Sequence, residues 1–323
     1  MGCKNSKQKE KHLKQVKKSI QSVIEDDDCS ALQKTLDRNS GIIGDLNGEE
    51  ITIIDSKFIS PLTYTVLKGS NQCYKILVSH YNCSFDKMES QLGSLNLDLL
   101  IYICENGYID LLKTILTDKY LDQISENGFS NKYSSLSPIH SAVKSGHLSI
   151  VSYLTGNPAL SKLTFFNIHY IDPVTGENCA FMSVRSCSFT MIKLLFESYK
   201  VDFSLLNLKN QTVFQVLAEI SLENFSFSQL ECLMYLAEVI KLDVEINYQE
   251  VLNTLENRSM LKYYKQKLKQ KGINAKKEIL LKSGIESSKD PIDTIQLSNV
   301  SQILTNSSKS EFTVSSFNLQ SSI

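Results

Sequence analysis

Residues 137–154 limit what this chain can fold into more than any other stretch. Ser137 suits a helix N-cap, and Pro138 suits the first helical position, where its missing N–H costs nothing. His140 follows, able to hydrogen-bond locally and tie neighbouring units together. Ala142 is small enough to let adjacent helices approach. Gly146 permits the tight turn that ends the first helix. Ile150, Val151 and Leu154 then form the apolar stripe of a second helix. The pattern predicts a short helix, a turn and an antiparallel second helix.

The pattern recurs with decreasing clarity. Ser60, Pro61, Leu62 and Thr63 with Gly69 lead into Cys73, Tyr74, Ile76 and Leu77. Asp98, Leu99 and Leu100 with Gly107 lead into Leu111, Leu112, Ile115 and Leu116. Asn178, Cys179, Ala180 and Phe181 open a further copy, with Cys187 where glycine is expected. Thr212, Val213 and Phe214 open another, whose second helix is expected near residues 230–236. Residues 19–36 resemble an eroded first unit. The starts fall near 18, 60, 98, 137, 178 and 212.

The segment 137–154 is similar to the ankyrin repeat, whose core reads T-P-L-H-x-A-x-x-x-G-H before an apolar helix. The resemblance implies an all-α ankyrin-repeat solenoid of about five to six repeats. The family period is about 33 residues. Only the last gap here is close to it. The longer gaps carry insertions, as at 39–57 and 157–177, which the resemblance places in the projecting fingers between repeats. It also implies a partner protein held on the concave face of fingers and first helices. Glu105, Lys144, Arg185 and Glu219, just past the middle of the first helices, are of mixed sign and name no ligand.

The opening Met1-Gly2-Cys3-Lys4-Asn5-Ser6 fits M-G-x-x-x-[ST], the pattern for myristoylation of Gly2. Cys3 places a thiol beside that chain, suited to palmitoylation. One myristoyl chain holds a protein only marginally, so a second signal is needed. Lys4, Lys7, Lys9, Lys11 and Lys14 supply one more, as charges expected to meet an anionic membrane surface. Seven lysines lie between Lys4 and Lys18, against the single acid Glu10.

The eight cysteines show no C-x-x-C pair and no zinc-finger spacing, so they are expected as reduced core thiols and no metal is expected. Lysines stand where the apolar region of a secretory signal would lie, and the longest apolar runs are too short to span a bilayer. There is no P-loop, G-x-G-x-x-G, H-E-x-x-H, nucleophile elbow or kinase set, so no catalytic residue, cofactor or small-molecule substrate is expected. The basic stretch 262–277 offers only Tyr263 and Tyr264 for base stacking, and nucleic acid is not expected as a partner.

These readings divide the chain into a basic lipid-anchor arm (1–12), an ankyrin solenoid (13–246), basic capping helices (247–283) and a disordered Ser-rich tail (284–323). They describe a monomeric, non-catalytic adaptor, cytoplasmic and peripheral to a membrane, that binds an unidentified protein. The alternatives are a soluble ankyrin scaffold or inhibitor with no anchor, and an enzyme of unrecognised type framed by the repeats.

Overall fold

The computed structural model describes residues 2–47, 50–116, 136–220, 227–255 and 258–273, with side chains from Gln8 onward. The expected tail at 284–323 lies outside the described residues. The chain forms two compact units, Met1–Asn210 and Gln211–Ile323.

In the first unit, helices come in pairs. The pairs are α1 (Gly2–Glu25) with α2 (Cys29–Arg38), α3 (Pro61–Lys68) with α4 (Asn71–Ser79), and α6 (Leu99–Asn106) with α7 (Ile109–Ile115). They continue as α8 (Pro138–Lys144) with α9 (Leu148–Gly156) and α10 (Cys179–Arg185) with α11 (Phe189–Glu197). Between α4 and α6 lies an extra helix, α5 (Phe85–Ser94). First helices pack side by side, α1 on α3, α6 on α8 and α8 on α10, while α2 packs on α4 and α4 on α7. The fold is all-α and of the ankyrin-repeat kind.

One turn geometry recurs in all five pairs. The residues Asp27, Gly69, Gly107, Gly146 and Cys187 each have a positive φ between the two helices. In each pair the next residue donates its N–H to the carbonyl five positions back: Asp28 to Val23, Ser70 to Thr65, Tyr108 to Ile103, His147 to Ala142 and Ser188 to Ser183. This is the Schellman closure of a helix end, which satisfies carbonyls the helix cannot. Asp27 and Cys187 hold the left-handed conformation without being glycine, so the eroded first copy and the Cys187 copy keep the same turn.

The helix starts are equally regular. The Ser60 and Ser137 side chains accept from the backbone N–H of Thr63 and His140, each at 3.3 Å, and Asn178 accepts from Ala180 at 3.0 Å. Pro61 and Pro138 take the first helical position. Ala142, fully buried, and the second-helix residues Ile150, Val151 and Leu154 form a dry core. Each of those three aliphatic side chains contributes about 1.5–3 kcal/mol.

The insertions are structured where they are described. Thr52–Ile54 and Lys57–Ile59 form an antiparallel hairpin, β1 and β2, with Ile53 opposite Phe58. Asp55 and Ser56, both with positive φ, make its two-residue turn. Sequence patterning had not marked α5. Its Met88 and Leu92 are buried, and its Gln91 accepts from the Ser60 N–H at 3.2 Å, covering the start of α3. The segment after α9 buries Leu160 and Phe166, and its turn Thr164–Phe166 packs on α8.

The second unit holds α12 (Val213–Glu219), α13 (Phe227–Glu238), α14 (Tyr248–Thr254) and α15 (Arg258–Gln270). A capping box joins Thr212 and Gln215 at the start of α12. Tyr264 of α15 is fully buried, packs edge-on against Phe214 at 5.9 Å and donates to the Val244 carbonyl at 2.7 Å. Lys267 pairs with Glu238 at 3.1 Å and Lys271 with Glu245 at 3.4 Å, so part of the basic character of this stretch is used within the unit.

Candidate functional site

Three junctions between repeats of the first unit are fastened by the residue that follows a turn: Ser70, Tyr108 and His147. His147 Nε2 meets the Glu105 carbonyl at 2.8 Å, and its ring fills the space beside Gly107, where an added Cβ would come within 2.6 Å of the imidazole. Tyr108 stands in the same way over Gly69, 2.5 Å from where a Cβ would be, with its hydroxyl 3.5 Å from the Leu67 carbonyl. Ser188 holds this position in the next pair, and an added Cβ at Gly146 would meet nothing within 4 Å. At the start of the unit the Ser70 hydroxyl donates to the Ile24 carbonyl, and Asp27 adds a second fastening. Its carboxylate accepts from the Gln72 and Cys73 N–H groups at 3.1 and 2.9 Å, capping α4.

His140 is fully buried at the base of a finger, and its Nε2 lies 3.1 Å from the Tyr170 carbonyl. Burial holds its imidazole well below the ordinary histidine range, at about 4, so it is neutral at physiological pH. Its Nδ1 is buried with no hydrogen-bond partner among the described residues.

Glu105, Lys144 and Arg185 each stand two residues before the turn residue of their repeat and line one groove of about 630 Å³. Buried Ile101 and Met182 contribute apolar lining. One wall comes from two adjacent fingers. Val174 and Leu208 project from them with 75% and 70% of their surface exposed, and Lys209 lies beside them. Isolated exposed apolar side chains are ordinary; these two stand at the lip of one groove.

The two fingers are fixed to each other. The Leu208 N–H donates to the Thr175 carbonyl at 2.9 Å, a close approach that Gly176 allows because a Cβ there would come within 2.8 Å of that nitrogen. Below, the Glu177 carboxylate is 6% exposed and accepts from Arg185 Nη2 at 2.5 Å, Arg185 Nε at 3.2 Å and Asn207 Nδ2 at 3.1 Å. Arg185 is therefore occupied. Lys144 and Lys209 are exposed and form no ion pair among the described residues.

Other site residues expected from the sequence fall elsewhere. Gly2, Cys3, Lys4 and Lys7 belong to α1, and their side chains lie outside the described residues. Lys9, Lys11 and Lys14 are exposed on the same helix, with Lys14 3.2 Å from Glu10. One continuous helix thus crosses the boundary expected at residues 12–13. Glu219 lies in the second unit, where its carboxylate accepts from Gln211 Nε2 at 2.5 Å.

Burial pushes the Cys73 thiol up to about 12 and that of Cys83 up to about 11, and raises those of Cys104 and Cys179 as well. These are protonated core thiols, not nucleophiles. Among the described residues no group of three His, Cys, Asp or Glu side chains is placed to hold a metal ion. No described helix is long and apolar enough to cross a membrane.

No protein-family model matches the chain, and no curated protein matches it. Solved structures similar to it include the ankyrin repeat domain of Bcl-3, a member of the IkappaB protein family. That domain is 13% identical with a TM-score of 0.42, over 76% of this chain and 96% of that one. The human ASB11 ankyrin repeat domain is 15% identical with a TM-score of 0.47, over 77% and 96%. The fold assignment rests on the repeated turn and pairing geometry.

Proposed function

We propose that this protein is a non-catalytic adaptor that binds a partner protein in the groove of its first unit and is held at a membrane by acylation of Gly2 and Cys3. The observation that carries the binding reading is the groove itself: Val174 and Leu208 exposed at its lip, and Lys144 and Lys209 without ion pairs among the described residues. Apolar anchors beside available charge are what a protein contact requires. The membrane reading is supported by the Met1-Gly2-Cys3 opening and the lysines that follow it. Holding the groove at a membrane raises the local concentration of any partner there.

A photo-crosslinking side chain at position 174 or 208, in cells, tests the groove. A defined adduct is expected, lost when Lys144→Glu is added and absent when the probe stands at exposed Lys34. Adducts equal at 174, 208 and 34 would remove the groove from the account. Fractionation beside Gly2→Ala, with intact mass on both, tests the anchor: membrane pelleting with a myristoyl mass, released in the variant, is expected. Equal solubility with no added lipid mass would leave a soluble scaffold.

A further inference from the structure

The lysines of α1 are sorted by face. The helix runs unbroken from Gly2 to Glu25 and packs on α2 and α3. Its packed side is Val16, Ile20 and Ile24, 5%, 1% and 0% exposed. Lys11, Lys14 and Lys18 are all exposed. At about 100° per residue they fall within an arc of about 60°, centred roughly 150° around the helix from the packed side. By helical position Lys4 and Lys7 continue the row. The spacing 4, 7, 11, 14, 18 keeps one face over about 21 Å of helix. Lys9 and Lys17 stand outside the row: Lys9 is seven residues before Val16 and so on its side, and Lys17 is half-buried.

We infer that this lysine face is a docking surface for an anionic lipid bilayer, with α1 lying along the membrane and the repeats on its far side. The inference rests on the membrane reading above, but not on acylation. Three observations favour a bilayer over other polyanions. The row is straight and one lysine wide, which suits a planar surface of diffuse charge, where each ammonium within about 8 Å of the headgroups adds its own attraction. The lysine face carries no aromatic side chain on which a base could stack. It also carries no large apolar side chain to form the centre of a protein interface, where lysine is itself depleted. From Val16 onward the packed side is buried against the repeats, so there the face left to offer is the charged one.

The test uses unacylated full-length protein and vesicles of phosphatidylcholine with or without phosphatidylserine. Lys11→Glu, Lys14→Glu and Lys18→Glu are combined in one variant. Lys34→Glu, Lys75→Glu and Lys87→Glu, all exposed in the same unit, make a second of equal net charge. The substituted side chains are exposed, and circular dichroism and melting are expected to match wild type. The first variant is expected to lose binding to the phosphatidylserine vesicles by on the order of a hundredfold, and the second by less than about fivefold. Equal losses, or a wild type that prefers duplex DNA to the vesicles, would overturn the inference. Acylated native protein is fractionated in parallel. Pelleting of that form, with no phosphatidylserine dependence in the unacylated one, removes the lysine face and leaves the lipid anchor. Failure of the acylated form to pellet removes the membrane reading itself.

Discussion

His147 stands over Gly107, its Nε2 2.8 Å from the Glu105 carbonyl and its ring where a side chain on Gly107 would have to go. The glycine is therefore held twice, by a φ of +79° and by the imidazole above it. Gly146 has nearly the same φ, +78°, with open space beside it. Gly107→Ala is expected to cost about 1 kcal/mol from the left-handed backbone plus a further 1–2 kcal/mol from displacing His147, whereas Gly146→Ala incurs only the first. Urea unfolding of both variants checks this. Equal midpoints would show that the imidazole yields freely and fastens nothing.

Cys187 offers the opposite substitution. It sits at φ +50° in the register where its neighbours use glycine. Cys187→Gly removes the left-handed penalty and is expected to raise stability by about 0.5 kcal/mol, after the entropy glycine adds to the unfolded chain. A lower denaturation midpoint would mean that the Cys187 side chain contributes more than the backbone conformation costs.

The helix pairs were legible in the sequence because each element announces itself locally. Ser137 and Pro138 mark a start, Gly146 a stop, and Ile150, Val151 and Leu154 a buried face. The first pair was faint because Asp27 replaces glycine at its turn, although Asp is among the few residues that tolerate that conformation. Its carboxylate, reaching Gln72 and Cys73 45 and 46 residues away, has no local signal at all. The α5 helix was missed because its two buried residues, Met88 and Leu92, are too few for a visible period. Of the groove, the row Glu105, Lys144 and Arg185 could be read from spacing. Val174, Leu208, Lys209 and the Glu177 pairing could not, since two fingers some 30 residues apart meet only in the fold.

Glu177 is the acid that joins those fingers. Glu177→Ala leaves Arg185 and Asn207 without the carboxylate that both donate to, and is expected to cost about 1–3 kcal/mol. The loss should be concentrated in the fingers. Hydrogen exchange at the Leu208 amide, bonded to the Thr175 carbonyl, is expected to quicken, while amides in α4 and α7 hold. Unchanged exchange at Leu208 would show that the backbone contact carries the junction unaided.

His140 makes stability depend on pH in a definite direction. Its folded value, about 4, lies below the 6.5 of a free histidine, because burial opposes the charged ring more than the Tyr170 carbonyl, Asp172 and Glu177 favour it. Above pH 6.5 the ring is neutral in both states and its contribution is complete. Between about 6.5 and 4 the unfolded chain takes a proton that the folded chain refuses, so stability falls as pH falls. The slope approaches about 1.4 kcal/mol per pH unit, and the total nears 3 kcal/mol. His140→Gln keeps a side-chain donor for the Tyr170 carbonyl and removes the titration. Denaturation of both proteins from pH 7 to pH 4 is expected to show the wild type losing its advantage over the variant across that window. A gap between the two curves that stays constant would mean that His140 is protonated with little penalty in the folded protein, and that the base of the finger is open to water.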